Sequence, residues 1–164
     1  MIPPLLFRRA EAADAPRLTA IALAGKQHWG YPDDWLAEWR PDLTITAGYL
    51  ASQPVRVAEL AGKVIGFAGL SMLEGRRHLE HLWLQPGLIG RGYGRALFQE
   101  AVRAARAVGD TELRIKADPN AEPFYLKMGA VRVGLDVYYL LGKHRREVPL
   151  LRYAFPTEPA DRSL

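Results

Sequence analysis

Apolar residues recur along the chain at two spacings, every third or fourth position in helices and every second in strands, and the switches between them set out a series of elements. A short strand at Leu5 to Arg8 precedes Ala12 to Ala24, where Leu18, Ile21 and Ala22 form a helical stripe that Gly25 is expected to stop. Further helices are expected at Asp33 to Arg40, capped by Asp33 or Asp34, and at Ala47 to Gln53. Val55 to Leu60 and Val64 to Leu73 flank Ala61-Gly62-Lys63, the sequence of a β-hairpin loop. His78 to Leu84 is another strand, closed by Pro86-Gly87. Arg91 to Val108 follows as a long helix, with Leu97, Ala101, Ala104, Ala105 and Val108 on one face and Gly109 at its end.

Glu112 to Lys116 reads as a short strand, and Asp118-Pro119 as the N-cap and first turn of a helix that runs to Met128 and stops at Gly129. Ala130 to Val133 and Val137 to Leu141 read as two closing strands around Gly134. Strand, helix and strand in succession imply a parallel crossover, so the fold class is α/β (α+β) with a mixed sheet. The prolines after Lys143 suggest an irregular tail, whose Leu150, Leu151, Tyr153 and Phe155 pack against the rest. The chain is therefore expected to be one domain over 1–164, with a core at about 5–141 and a tail at 142–164.

At 49% hydrophobic and 24% charged, the 164 residues suit a globular chain with a real core and exclude a disordered or fibrous one. The net charge of +4 raises the question of nucleic acid, but 17 of the 22 basic residues are Arg, scattered in groups close to acids such as Glu11, Glu74, Glu100 and Glu147. No basic block forms, so no nucleic-acid partner is expected. The most apolar stretch, Val64 to Leu73, is too short to span a bilayer, and Pro3-Pro4 and Arg8-Arg9 interrupt any signal-like segment. A cytoplasmic protein without a membrane partner is the expectation. There is no cysteine, which excludes a cysteine nucleophile, and the histidines do not cluster with carboxylates at ligand spacing, so no metal is expected.

The sharpest local signal is Gln85-Pro86-Gly87-Leu88-Ile89-Gly90-Arg91-Gly92-Tyr93-Gly94-Arg95, between a strand and a helix. Four glycines in eight residues let the backbone come close to a ligand, and the amides at a helix N-terminus attract phosphate. No Gly-Lys-Ser/Thr follows, and Arg95 stands where a dinucleotide-binding turn needs its third glycine, so nucleoside triphosphates and NAD are disfavoured. With Asp118-Pro119-Asn120-Ala121-Glu122-Pro123-Phe124-Tyr125-Leu126-Lys127-Met128-Gly129-Ala130 one helix and one strand further on, the chain resembles the GNAT superfamily of acetyl-CoA-dependent N-acetyltransferases over roughly residues 5–141. At Ile89 it departs from the Gln or Arg usual in that family.

The resemblance implies a mixed, mostly antiparallel central sheet with a parallel crossover, helices on both faces, and acetyl-CoA as the acyl donor. It implies that the main chain of the strand, at Leu82, Trp83 and Leu84, lies along the pantetheine arm. The pyrophosphate would fall to the amides of Ile89, Gly90, Arg91, Gly92, Tyr93, Gly94 and Arg95, and the second motif would bring Asn120, Phe124 and Lys127 to the CoA arm. Tyr125 matches the tyrosine that in many members stands near the sulfur and protonates or hydrogen-bonds the departing thiolate. An amine nucleophile also needs a base, and by the resemblance members of the superfamily place it at the positions of His78 and Glu80, with Glu80 the first choice and His78 its helper or substitute; alternation puts His78, Glu80, Leu82 and Leu84 on one face and His81 on the other. The Leu84 amide is the expected donor to the oxyanion of a tetrahedral intermediate.

Three of the four tryptophans fall between Trp29 and Trp39. By the resemblance this region roofs the acceptor cleft, so Trp29, Tyr31 and Trp35 are expected to wall the amine of a small molecule or peptide while Asp33, Asp34 or Glu38 supplies charge; Trp39 reads as helix packing. The expected activity is direct acetyl transfer to a primary amine. Its rivals are a non-catalytic acyl-CoA sensor of the same fold and a nucleotide-binding enzyme on a different one. Strand edges and the apolar tail suggest a homodimer.

Overall fold

The computed structural model describes residues 3–157. Its strands are β1 (Leu5–Arg9), β2 (Val55–Leu60), β3 (Lys63–Leu73), β4 (Arg76–Leu84), β5 (Glu112–Lys116), β6 (Val131–Leu140) and β7 (His144–Ala154). Helices are α1 (Ala15–His28), α2 (Asp33–Leu43), α3 (Ala47–Ser52), α4 (Tyr93–Ala107) and α5 (Glu122–Met128). The strands form one seven-stranded sheet in the order β1-β2-β3-β4-β5-β7-β6, antiparallel throughout except for β4 with β5. Two-residue turns, Ala61-Gly62 and Glu74-Gly75, close the hairpins on either side of β3 with both residues at positive φ, the geometry that follows the strands' own twist.

An apolar layer lies on each face of the sheet. Leu97, Phe98, Ala101 and Ala105 of α4 pack with Tyr125 of α5 on Ile65, Ala68, Leu70, Leu79, Leu113 and Leu151. Leu18, Ile21 and Ala22 of α1, Trp39 and Leu43 of α2 and Leu50 of α3 pack on Val55, Val57, Phe67 and Leu140. Mixed sheet, parallel pair and helices on both faces are as expected. Among the described residues no helix is long and apolar enough to cross a membrane.

Several expectations are corrected. The stretch read as an irregular tail is strand β7, inserted between β5 and β6, and the core does not stop at 141; residues 158–164 of that tail lie outside the described residues. Pro149 is tolerated because its carbonyl faces Ala117, just past the end of β5, so the missing N–H falls where the ladder has ended. The two strands expected around Gly134 are one strand with an irregularity between Arg132 and Gly134. The helix expected from Asp118 starts at Glu122, because the Asp118 carboxylate closes a turn onto the Asn120 amide at 2.8 Å. Gly25 does not stop α1. It lies inside the helix where a Cβ would stand 2.6 Å from Trp83 Cε3, so it is the gap through which α1 settles onto β4. Gly25→Ala is therefore expected to lower unfolding free energy by about 1–3 kcal/mol in urea titrations despite alanine's better helix propensity, because overpacking against the indole outweighs it.

Candidate active site

The register of β3 against β4 jumps: Gly69 faces His81, but Leu70 faces Leu79. Glu80 is the extra residue of a β-bulge, and strict alternation fails at that position. Leu79, Leu82 and Leu84 face the α4 layer, whereas His81 and Trp83 face the α1–α3 layer, so Leu82 and Leu84 do not share a face with His78 and Glu80 as alternation predicts. His81, expected on the opposite face, is buried against Tyr49 and Phe67.

Glu80 is exposed and lines an open cleft of about 920 Å³ together with His78. Its carboxylate accepts a hydrogen bond from Ser71 Oγ, a partner not recognised from sequence because β3 brings it across the ladder. Beneath the bulge, the Tyr49 hydroxyl donates to the Leu70 carbonyl at 3.1 Å and fills the space that a side chain at Gly69 would take. Burial, with the charge of Glu80 nearby, pushes the Tyr49 phenol up to about 12, even though Ser71 acts in the other direction. His81 Nδ1 accepts from the Trp83 indole at 3.1 Å, and burial lowers its pKa against the opposing charges of Glu80 and Asp42; it is neutral and structural. His78 Nδ1 lies 3.1 Å from the Arg76 carbonyl, an acceptor only, so the neutral ring carries its proton on Nδ1 and keeps a lone pair on Nε2.

On its other edge β4 parts from β5, with His78↔Arg114 their one paired position. Gln85 donates to the Ile65 carbonyl at 2.8 Å, which makes Trp83 the next residue hydrogen-bonded to β3 and turns the N–H and C=O groups of Leu82 and Leu84 toward the gap. Trp83 is thereby corrected: its main chain faces β3 and its side chain packs on α1. Beyond the gap, Gly90 and Gly92 both take positive φ, and Gly92 caps α4. The first bond of that helix is Ala96 N–H to the Gly92 carbonyl, so the Tyr93, Gly94 and Arg95 amides precede the ladder, while Arg91 and Arg95 are exposed. Ile89 is also corrected, since its amide is spent on the Pro86 carbonyl at 3.2 Å. Phe124 packs against Gly94, joining the two motifs, and Lys127 is exposed on α5. Tyr125 is buried between Phe98 and Phe124, and burial together with the Asp118 charge holds its phenol well above the usual range.

The opposite wall is a polar cluster missed in the sequence. Lys26 of α1 pairs with Asp118 at 2.7 Å, and Tyr31 donates to the same carboxylate at 2.9 Å. Asn120, expected at the CoA arm, has its side-chain amide on Tyr31 and Asp118, each at 3.0 Å. Tyr31, Trp35 and Trp39 do assemble, but around the protein's own cations: Lys26 Nζ lies 4.3 Å from the Trp39 ring centre, and the Arg146 guanidinium is 5.1 to 5.5 Å from all three. Trp39, with Glu38 and Asp42, lines the cleft. Trp29, Tyr31 and Trp35 do not line it, nor do Asp33 and Asp34 in the first turn of α2; Trp29 is exposed beside His28 at the end of α1.

The chain matches the family model for the Acetyltransferase (GNAT) family over residues 16–130. Solved structures with a similar fold include the GCN5-related N-acetyltransferase of Rhodopseudomonas palustris, 24% identical with a TM-score of 0.78 over 94% of this chain and 98% of that one. The PaiA N-acetyltransferase of Thermoplasma acidophilum, solved with coenzyme A, is 17% identical with a TM-score of 0.73 over 93% and 99%. The yncA protein of Salmonella typhimurium, solved with its cofactor acetyl-CoA, is 20% identical with a TM-score of 0.68 over 98% and 99%. No curated protein matches the chain in sequence.

Burial favours the neutral acid at Asp118, but the Lys26 charge and the hydrogen bonds from Lys26, Asn120 and Tyr31 outweigh it and hold the carboxyl below its ordinary pKa. Such a group adds stability above its unfolded pKa of about 4 and loses it as the pH falls through the lower folded value. Asp118→Asn is expected to cost about 3 kcal/mol at neutral pH, with the deficit in urea titrations shrinking below pH 4. A deficit independent of pH contradicts this assignment.

Proposed function

The chain belongs to the GNAT acetyltransferase family, and on that footing we propose that it transfers the acetyl group of acetyl-CoA directly to a primary amine, with Glu80 as base and Tyr125 as acid. Acetyl-CoA is the cosubstrate of this family, and it supplies an acetyl group activated as a thioester. The observation that carries the proposal is the bulge, which turns the Glu80 carboxylate into the cleft beside the place where β4 and β5 separate. The residues present fit the cosubstrate. The turn at Gly90 and Gly92 and the unspent amides of Tyr93, Gly94 and Arg95 suit a pyrophosphate, and the free main-chain groups of Leu82 and Leu84 suit an extended amide-bearing arm.

Glu80 takes the proton that leaves the acceptor ammonium, with Ser71 holding one of its oxygens; His78 Nε2 is a second lone pair in the same cleft. The Leu84 N–H, aimed into the gap, is the donor for the carbonyl oxygen. Tyr125 keeps its proton until the sulfur needs one. In a thiol-release assay with acetyl-CoA and a panel of amines, Glu80→Gln is expected to lower kcat at least about 100-fold and Tyr125→Phe about 10-fold or more, with CoA affinity within twofold of the parent. Tight CoA binding without release by the parent favours a non-catalytic sensor, and no CoA binding removes the reading altogether.

We further propose that two copies associate through β6. It is the last strand of the sheet, and Val131, Val133, Leu135, Val137 and Tyr139 along it are all exposed. Antiparallel pairing with a second β6 satisfies the edge and covers the stripe in a two-fold contact. Val137→Lys with Tyr139→Lys is expected to halve the mass measured by light scattering while leaving the far-ultraviolet circular dichroism unchanged; a monomeric parent excludes the dimer.

A further inference from the structure

Among the described residues, the buried side-chain polar atoms left without a partner are the Nε atoms of Arg114 and Arg146, and both arginines line the same cleft. Arg146 is the more telling of the two. Its guanidinium is clamped against Tyr31, Trp35 and Trp39, and a terminal amino group donates to the Tyr31 hydroxyl at 3.2 Å. The side chains that act on its charge are phenols, those of Tyr31 and Tyr138. The one carboxylate in this cluster, Asp118, spends both oxygens on Lys26, Tyr31 and Asn120. Two fixed cations thus stand with a single anion, and the surplus positive charge belongs to a planar donor fork that the aromatic box keeps from turning away.

Acids line the cleft as well. Glu38 and Asp42 of α2 and Glu80 at the bulge are in its wall, and a cleft that offers carboxylates together with an unmatched guanidinium is complementary to a molecule that carries both charges. Resting on the acetyltransferase reading above, we propose that the acceptor is an amine that also bears a carboxylate, an amino acid in the broad sense, and that Arg146 binds that carboxylate. A planar carboxylate matches the guanidinium fork with two parallel hydrogen bonds, whereas an amine lacking it leaves the Arg146 charge unmatched in the cleft. Arg114, adjacent to His78 in the β4–β5 pair and 3.8 Å from a Glu112 carboxylate already held by Arg152, lines the cleft too, as does Arg76.

The experiment compares the free amino acids with their carboxamides and with the corresponding decarboxylated amines, both as acceptors in thiol release and by calorimetric titration into the CoA-loaded protein. The free acids are expected to have kcat/KM at least about 30-fold above their carboxamides. Arg146→Gln is expected to raise KM for the acids by about 30-fold or more with kcat little changed, to leave the carboxamides unaffected, and to leave CoA binding intact. Arg146→Lys, with the charge but not the fork, should fall between. Carboxamides or decarboxylated amines that match the acids overturn the proposal, as does an Arg146→Gln loss equal for every acceptor, which marks a purely structural role. A selective loss confined to Arg114→Gln overturns the assignment to Arg146. Absence of release with every amine defeats the transferase reading, and the titration then still decides the carboxylate: selective binding of acids that Arg146→Gln abolishes supports it, and equal binding of acids and carboxamides overturns it.

Discussion

The whole site depends on one extra residue in one strand. Because β4 holds one more residue than β3 can pair with at Glu80, its side chains change faces there: Leu79 and Leu82 both reach the α4 layer although they are an odd number of positions, three, apart. A regular strand would put Glu80 and Leu82 on the same face, and either the carboxylate would enter an apolar layer or the leucine would be lost from it. The bulge avoids both and bends the strand, and β4 then parts from β5 after His78 and Arg114. The gap exposes the main chain of Leu82 and Leu84 while β3 continues to satisfy Trp83. Tyr49 and Ser71 hold the bulge from below and beside, through the Leu70 carbonyl and the Glu80 carboxylate.

A second constraint closes the far side of the cleft. Asp118 lies at the end of β5, where the strand gives way to a turn, and its carboxylate gathers Lys26 from α1, Tyr31 from the loop before α2 and Asn120 from its own turn. Arg146 of β7 joins through Tyr31. The cluster ties the helices on one face of the sheet to the turn that leads into α5, and α5 carries Tyr125 into the layer on the other face. Asp118 therefore serves twice: it fixes the position of the turn, and its negative charge helps to keep the Tyr125 proton in place. The aromatic residues before and within α2 complete the arrangement by holding two cations where solvent-exposed side chains would otherwise move freely.

The order of elements was legible because it rests on local rules. Turn pairs such as Ala61-Gly62, the stripe of Leu97, Ala101 and Ala105, and the glycine-rich entry to α4 act over a few residues, and the strand, helix and strand around that entry imply the parallel crossover. Glycine alone did not separate a helix end from a close approach: Gly109 follows α4 closely, whereas Gly25 admits the Trp83 ring from a strand far away in sequence. Pro149 concealed β7 for a similar reason, since whether a missing N–H costs a hydrogen bond depends on where the neighbouring strand ends.

By itself, the sequence determined the α/β alternation, the two motifs that mark the family, and the residue types able to bind phosphate, take a proton or give one. Only the tertiary structure decided which of them meet. The bulge that sets Glu80 apart from Leu82 follows from pairing with β3, the Ser71 partner from the ladder across it, and the ring cluster around Arg146 from a strand joining α2 across more than a hundred residues. Periodicity records the face on which a residue should lie; register, and the charges that arrive from distant parts of the chain, decide what it touches there.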